Sequence, residues 1–310
     1  MSSGEIDISW QVLRRIVQDY FGTAAELSEC IPLHGGQINT TLELHVSTGK
    51  KAVVKVSPHR VDRSYEREAY QLTLLKNLGL PVPEVYQWKI GSLDDPISFL
   101  LIEHIDGCDL GQAKQQCTAE EFDALQCELA EIVTKMHSQT NDKYMRVMEG
   151  GQSFDAWPKF YRDIYDPIWH EAQQDPHLSK HCRKQIGKVH EKLERFLVHP
   201  DKPRLVHWDI WNTNVMCRKN GDGKWHVAAL LDPNCKYAHA EAEIAYMELF
   251  HTITPSFLKA YQQQYKLSGD YHRFRKPIYQ LYPLINHLRL FGVEYLKPLV
   301  QAVERTESLV

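Results

Sequence analysis

A change of period near residue 105 constrains the fold of this 310-residue chain more than any other feature. Ahead of it, short runs alternate apolar and polar residues, as half-buried strands do. Behind it, apolar residues return every three or four positions, as on amphipathic helices. Residues 8–22 read as an opening helix, with Trp10, Leu13, Ile16, Val17 and Tyr20 at helical spacing. Three strands are expected at 28–34, 40–47 and 51–57, with Gly35-Gly36 and "STGKK" as the turns. A helix at 62–78 stops at Gly79, Pro81 and Pro83 force an extended path, and "ISFLLIE" at 97–103 reads as a buried strand. Helices are then expected at 119–138, 155–174, 178–197, 240–250, 255–265 and 273–306. A hairpin turn at 219–225, "KNGDGKW", is expected inside the second lobe. The pattern predicts an α+β fold. Residues 1–104 form a lobe of antiparallel sheet plus helix, a short hinge follows, and residues 105–310 form a mainly helical lobe.

Composition narrows the function. The chain is 43% hydrophobic and 25% charged with a net charge of −4, ordinary for a soluble globular protein. It lacks a basic run of five or more residues, so no nucleic-acid partner is expected. The start, "MSSGEIDISW", has no basic-then-apolar pattern, and stretches such as "ISFLLIEHI" are far too short to span a bilayer. No membrane partner and a cytoplasmic location are therefore expected. Seven cysteines, an odd number without a CxxC pair, argue against a disulfide framework or a zinc site. The sixteen histidines show no metal-binding spacing such as HExxH.

The chemistry is concentrated in a few places. Lys55 in "AVVKVS" shares a strand face with Val53, where an ammonium needs a partner, and the next helix offers Glu66 and Glu68. A strand lysine held by a helix glutamate is how kinases grip α- and β-phosphates, although a lysine snorkelling from an edge strand would look the same. "LVHWDIWNTNVM", 205–216, sets His207, Asp209, Asn212 and Asn214 among apolar residues. Its frame, H-x-D-x-x-x-x-N, suits a tight loop. Asp209 would accept a proton from an attacking hydroxyl, Asn214 would ligate magnesium and His207 would brace the loop. A plain capped turn is the competing reading. In "HVAALLDPN" the apolar run stops at Asp232, well placed as the main Mg²⁺ ligand or as a strand-ending turn before Pro233. The loop "HGGQIN", with Gly35, Gly36 and Gln37, lies between strands leading to Lys55, where backbone N–H groups can approach phosphate. The hinge, "IEHID", offers the backbone of Glu103 and Ile105 to adenine. The order of these pieces weighs more than any one of them.

Taken together, the residues resemble the aminoglycoside phosphotransferase and choline kinase superfamily, and within it the fructosamine kinase (ketosamine-3-kinase) family. The resemblance rests on "LHGGQINTTLEL", "LVHWDIWNTNVM", "LLDPNCKYAHAEAEIAYMELF" and "YQLYPLINHLRLFGVEY", with a weaker match at "WPKFYRD", and covers about residues 10 to 305. It implies a protein-kinase-like bilobal fold and ATP- and Mg²⁺-dependent phosphorylation of a sugar hydroxyl on a ketoamine. By position it makes Asp209 the base, Asn214 and Asp232 the magnesium ligands, and Lys55 with Glu68, rather than Glu66, the phosphate grip. Candidates for the acceptor side are Trp208, Trp211, Tyr237 and His239, with Tyr282, Asn286 and His287 from the 279–295 segment. Two departures stand out. Trp208 occupies the position between His and Asp where the family usually has glycine, and Glu243 stands where it often has Asp. The other readings are an aminoglycoside phosphotransferase-like kinase with a different hydroxyl acceptor and a nucleotide-binding pseudokinase. A protein kinase fits less well, because no A-P-E segment follows and Asp232 precedes Pro-Asn rather than Phe-Gly.

Overall fold

The computed structural model describes residues 8–33, 40–58, 63–148, 152–199 and 201–309. Helix α1 (Trp10–Phe21) starts at Ser9, whose hydroxyl accepts from the Val12 N–H, and ends at Gly22. Strands β1 (Leu27–Pro32), β2 (Thr40–Val46) and β3 (Lys51–Pro58) follow, then α2 (Ser64–Asn77), β4 (Val85–Lys89) and β5 (Ile97–Glu103). All five strands join one antiparallel sheet in the order β1-β2-β3-β5-β4. The alternation explains the packing: Leu42, Leu44, Val46, Ala52, Val54 and Val56 point to one face and bury Leu13, Ile16 and Val17 of α1. The predicted strands lie within two residues of the observed ones. The sequence reading missed β4, an edge strand with a bulge between Val85 and Gln87 and no clean alternation of burial.

The chain continues through β6 (Cys108–Asp109), α3 (Leu110–Gln116), α4 (Ala119–His137), β7 (Tyr144–Arg146), β8 (Ser153–Phe154), α5 (Trp157–Ala172), α6 (Lys180–Glu191), α7 (Leu193–Leu197) and β9 (Arg204–Val206). A 3₁₀ turn at Asn212–Asn214 leads to β10 (Val215–Lys219), β11 (Trp225–Leu230), β12 (Lys236–Ala238), α8 (Ala240–Leu249) and α9 (Pro255–Tyr261). A π-helical turn at Tyr271–Arg275 precedes α10 (Lys276–Phe291), and α11 (Leu296–Thr306) follows. The helix expected over 273–306 is interrupted at Gly292, whose φ of 93° ends α10 in the left-handed region that glycine tolerates. The helix expected over 178–197 divides at Lys192.

Two compact units result. The first runs to Gln115 and takes in Thr213–Pro233; the second comprises Gln116–Asn212 and Asn234 onward. The hairpin turn at 219–225 therefore belongs to the first unit, contrary to expectation. Its strand β10 pairs with β6 as well as β11, and the Leu230 N–H donates to the Pro81 carbonyl at 2.8 Å. Gly107 makes this possible: a Cβ there would run into the Cys217 carbonyl oxygen. In the second unit a four-stranded sheet, β8-β7-β12-β9, accompanies the helices. Buried Gln126 of α4 donates to the Thr252 carbonyl and accepts from the Thr254 N–H, which satisfies both ends of its amide. Among the described residues, no helix is long and apolar enough to cross a membrane.

Candidate active site

In the first unit the face of β3 opposite α1 carries Lys55. Its Nζ donates to Glu68 Oε1 of α2 at 2.6 Å and also pairs with Asp232 Oδ1. Burial alone would pull the lysine's pKa down, but Glu68 and Asp232 outweigh it and hold the group above its ordinary value, so it stays charged. Glu66, the other glutamate in reach by sequence, is taken by Arg63 at 2.7 Å. Antiparallel pairing of β10 with β11 sets Val215 opposite Leu230, and the Leu231 N–H donates to the Asn214 carbonyl at 2.9 Å. Asn214 and Asp232 consequently sit at the same end of the hairpin. Asn214 is buried, whereas the Asp232 side chain is 46% exposed. The Asp232 carboxylate and the Asn214 amide carbonyl are oxygen donors of the kind a hard cation takes.

Asp232 has φ 56°, a left-handed conformation rare outside glycine, and it precedes Pro233. At the hinge, the Glu103 N–H donates to the Glu84 carbonyl at 2.8 Å and the Glu103 carboxylate accepts from the Glu84 N–H at 3.0 Å, which clamps the end of β5. Ile105, just beyond, is half-buried. Gly35, Gly36 and Gln37 lie outside the described residues.

The second unit holds the other half of the motif. The Tyr246 hydroxyl donates to Asp209 Oδ1 at 2.6 Å. Burial, then the negative charge of Asp209, push the Tyr246 pKa well up, so the phenol remains a donor. One turn earlier on α8, Glu243 Oε1 accepts the Trp208 backbone N–H at 2.5 Å, and its Oε2 meets His137 Nε2 at 2.8 Å. His137 Nδ1 meets the Tyr261 hydroxyl, also at 2.8 Å. His207 is fully buried, and its carbonyl accepts from the Asn234 N–H at 3.0 Å. The loop is thus braced through α4, α8 and the segment leading to β12.

A family model described as fructosamine kinase matches residues 9–308. The chain belongs to the fructosamine kinase family. Membership makes it a phosphotransferase. A probable ketoamine kinase of Enterococcus faecium (strain ATCC BAA-472 / TX0016 / DO) is 28% identical, across 88% of this chain and 94% of that protein. A crystal structure described as a putative fructosamine-3-kinase from Haemophilus somnus 129PT superposes with a TM-score of 0.75 at 22% identity, covering 96% of this chain and 97% of the other. A thermostable mutant of the aminoglycoside phosphotransferase APH(4)-Ia, in ternary complex with AMP-PNP and hygromycin B, gives 0.66 at 17% identity, covering 96% and 97%. The α+β kinase-like fold is common to this chain and the two solved structures.

Against the family pattern, the structure explains why glycine is usual at position 208. Trp208 has φ 71°, a conformation that strains a residue with a side chain by roughly 1–2 kcal/mol. Its indole lies 6.4 Å from the Trp157 ring and 6.1 Å from Tyr282, centroid to centroid, with Lys236 Nζ 4.7 Å over it. Trp211 is half-buried, as is Tyr237, whose strand pairs with β7 and β9. His239 is buried and meets the Tyr279 hydroxyl at 2.8 Å through Nδ1. His287 donates from Nδ1 to the Pro283 carbonyl at 2.7 Å and lies against Phe250, itself against Tyr246. Asn286 accepts from Arg289.

The sequence reading missed His137 and Tyr246. A signal existed for Tyr246, three residues after Glu243 and so on the same helix face. His137 closes an amphipathic helix and offers no such cue.

Proposed function

We propose that the protein transfers the γ-phosphoryl group of ATP to a sugar hydroxyl of a ketoamine. Asp209 takes the hydroxyl proton, the new P–O bond forms as the bond to the β-phosphate oxygen breaks, and ADP leaves. Lys55, held by Glu68, pairs with the α- and β-phosphates, and the backbone of Glu103 and Ile105 takes adenine. Gly35, Gly36 and Gln37 cover the phosphates. Asn214 and Asp232 would hold Mg²⁺, which would neutralise negative charge that builds up during transfer. The first unit is then the nucleotide-binding part, and the second supplies the base and the acceptor contacts, with Trp211 and Tyr237 as half-buried candidates. His207 braces the loop.

The observation that carries this reading is the buried Lys55 between Glu68 and Asp232. Asp209 and Asn214 lie five positions apart in the chain, so base and metal ligand come from one loop. The ketoamine acceptor takes its support from the family, and ATP from the AMP-PNP in the APH(4)-Ia complex. The reading places the enzyme in the cytoplasm, where ATP and reduced thiols are found.

Trp208 favours a second reading of the acceptor alone. A caged indole in place of glycine reshapes the acceptor side, so another small hydroxyl compound, an aminoglycoside included, remains a competitor. Assay of purified protein with Mg²⁺–ATP against fructosyl-amines and aminoglycosides separates the two. Asp209→Asn should lower kcat by about 10²–10⁴ with the circular-dichroism spectrum unchanged. Undiminished turnover in that variant would overturn the base assignment, and ATP binding without transfer to any acceptor would point to a pseudokinase.

A further inference from the structure

Helix α8 meets the loop at two consecutive residues, in two different ways. Glu243 Oε1 accepts the Trp208 backbone N–H at 2.5 Å, and three residues further along, Tyr246 donates its hydroxyl to Asp209 Oδ1 at 2.6 Å. A spacing of three keeps both side chains on one helix face. The first bond fixes the backbone just ahead of Asp209, where Trp208 has φ 71°. His137 steadies that glutamate from the other side, so the backbone brace does not draw on the phenol. The second bond reaches the carboxylate itself.

We propose that Tyr246 is a positioning residue for phosphoryl transfer, its hydroxyl fixing the orientation of the Asp209 carboxylate against the acceptor. This role presupposes Asp209 as the base, as in the proposed function.

An aspartate carboxylate turns broadly about its last torsion, and a bond to the preceding backbone N–H does not restrain that rotation. A hydroxyl on one carboxylate oxygen does. The 2.6 Å separation is in the range of a phenol donating to an ionised carboxylate, among the stronger hydrogen bonds in proteins. The phenol keeps its proton, because burial and then the charge of Asp209 hold its pKa well up. Its ring is backed by a column of others. Phe250 lies 4.7 Å from it, His287 of α10 lies 4.9 Å from Phe250, and Tyr295 lies 4.9 Å from His287, centroid to centroid. The bond from His287 Nδ1 to the Pro283 carbonyl, at 2.7 Å, pins the column to α10. Burial by itself does not force a phenol onto a carboxylate in this unit. The hydroxyls of Tyr161 and Tyr165 on α5 are buried without a hydrogen-bond partner among the described residues. Tyr282 also feels the charge of Asp209, but its side chain bonds to that of Trp208. An indole N–H can only donate, so the Tyr282 oxygen accepts there. Tyr246 is the phenol that donates to the base.

The test uses the full chain with Mg²⁺–ATP and a panel of fructosyl-amines and aminoglycosides, and compares Tyr246→Phe, Asp209→Asn and the double variant. Phenylalanine keeps the ring and its contact with Phe250, so the circular-dichroism spectrum should be unchanged. Tyr246→Phe should lower kcat by about tenfold or more, while KM for ATP and for the acceptor stays within about twofold. In the Asp209→Asn background the same change should alter the residual rate by less than about twofold, because no base is left to orient. A phenol that served the fold alone would impose its loss in both backgrounds. Wild-type kcat in Tyr246→Phe overturns the proposal, and so does an equal loss in both backgrounds or a loss carried by KM. Full turnover in Asp209→Asn would instead overturn the base assignment, and this role with it. Absence of transfer by the wild-type protein to every acceptor on the panel would do the same.

Discussion

Glu68 and Asp232 in the first unit meet a charge; Glu243 in the second meets a backbone N–H and an imidazole. The first arrangement is exchangeable. Lys55 holds two carboxylates at once, and one of them, Asp232, is nearly half exposed. On the proposed function it would pass to a cation while the lysine turns to phosphate. The second arrangement has nothing to exchange. Glu243 and His137 have no exposed side-chain surface, and each of the two carboxylate oxygens of Glu243 is committed. On the proposed function, the contrast is between a group that would change partners during turnover and a loop that would hold still.

The comparison is tested most severely by removing the charge. Lys55→Met should reduce kcat/KM for ATP by about 10³-fold, the scale of losing a preorganised charge contact to the reacting group; a loss below tenfold would break the picture of an exchangeable phosphate grip. Glu243→Gln should act differently, lowering kcat on the order of 10²-fold through a displaced loop while KM for ATP stays within a factor of two or so. Equal damage to ATP binding would erase the distinction between the two clusters.

Trp208→Gly comes next. It relieves the left-handed strain but removes the indole from between Trp157 and Tyr282. The expected result is about a tenfold change in kcat/KM among acceptors of different bulk, with ATP parameters constant, checked on a panel of ketoamines. The smallest effect concerns pH. Burial pulls the His287 pKa below its ordinary value, opposed by its bond to Pro283. The unfolded chain therefore takes up a proton below about pH 6.5 that the folded protein resists. Stability is unaffected above that value and falls as pH drops through it. Thermal midpoints should decline below pH 6.5, and His287→Phe should flatten the decline by about 1 kcal/mol or less; an unchanged slope would count against the burial argument.

Much of this was legible in the chain. The alternation around Lys55 set its face, and a helix on that side had to bring Glu66 or Glu68 within reach. The family resemblance preferred Glu68; in the structure Glu68 meets Lys55 while Arg63 occupies Glu66. Short strands were the main loss. Cys108–Asp109 and Lys236–Ala238 are too brief for a period to show, and their pairing is set by partners far along the chain.

The sequence by itself determined the periodicities, the order of chemical groups and the sharp loop from His207 to Asn214, since each depends on neighbours a few residues apart. Tertiary structure alone decided that the 215–230 hairpin returns to the first unit, that His137 steadies Glu243, and that His199 stacks on His239. These contacts join residues that no local spacing relates. They arise from strand register and helix packing, which act over the whole chain.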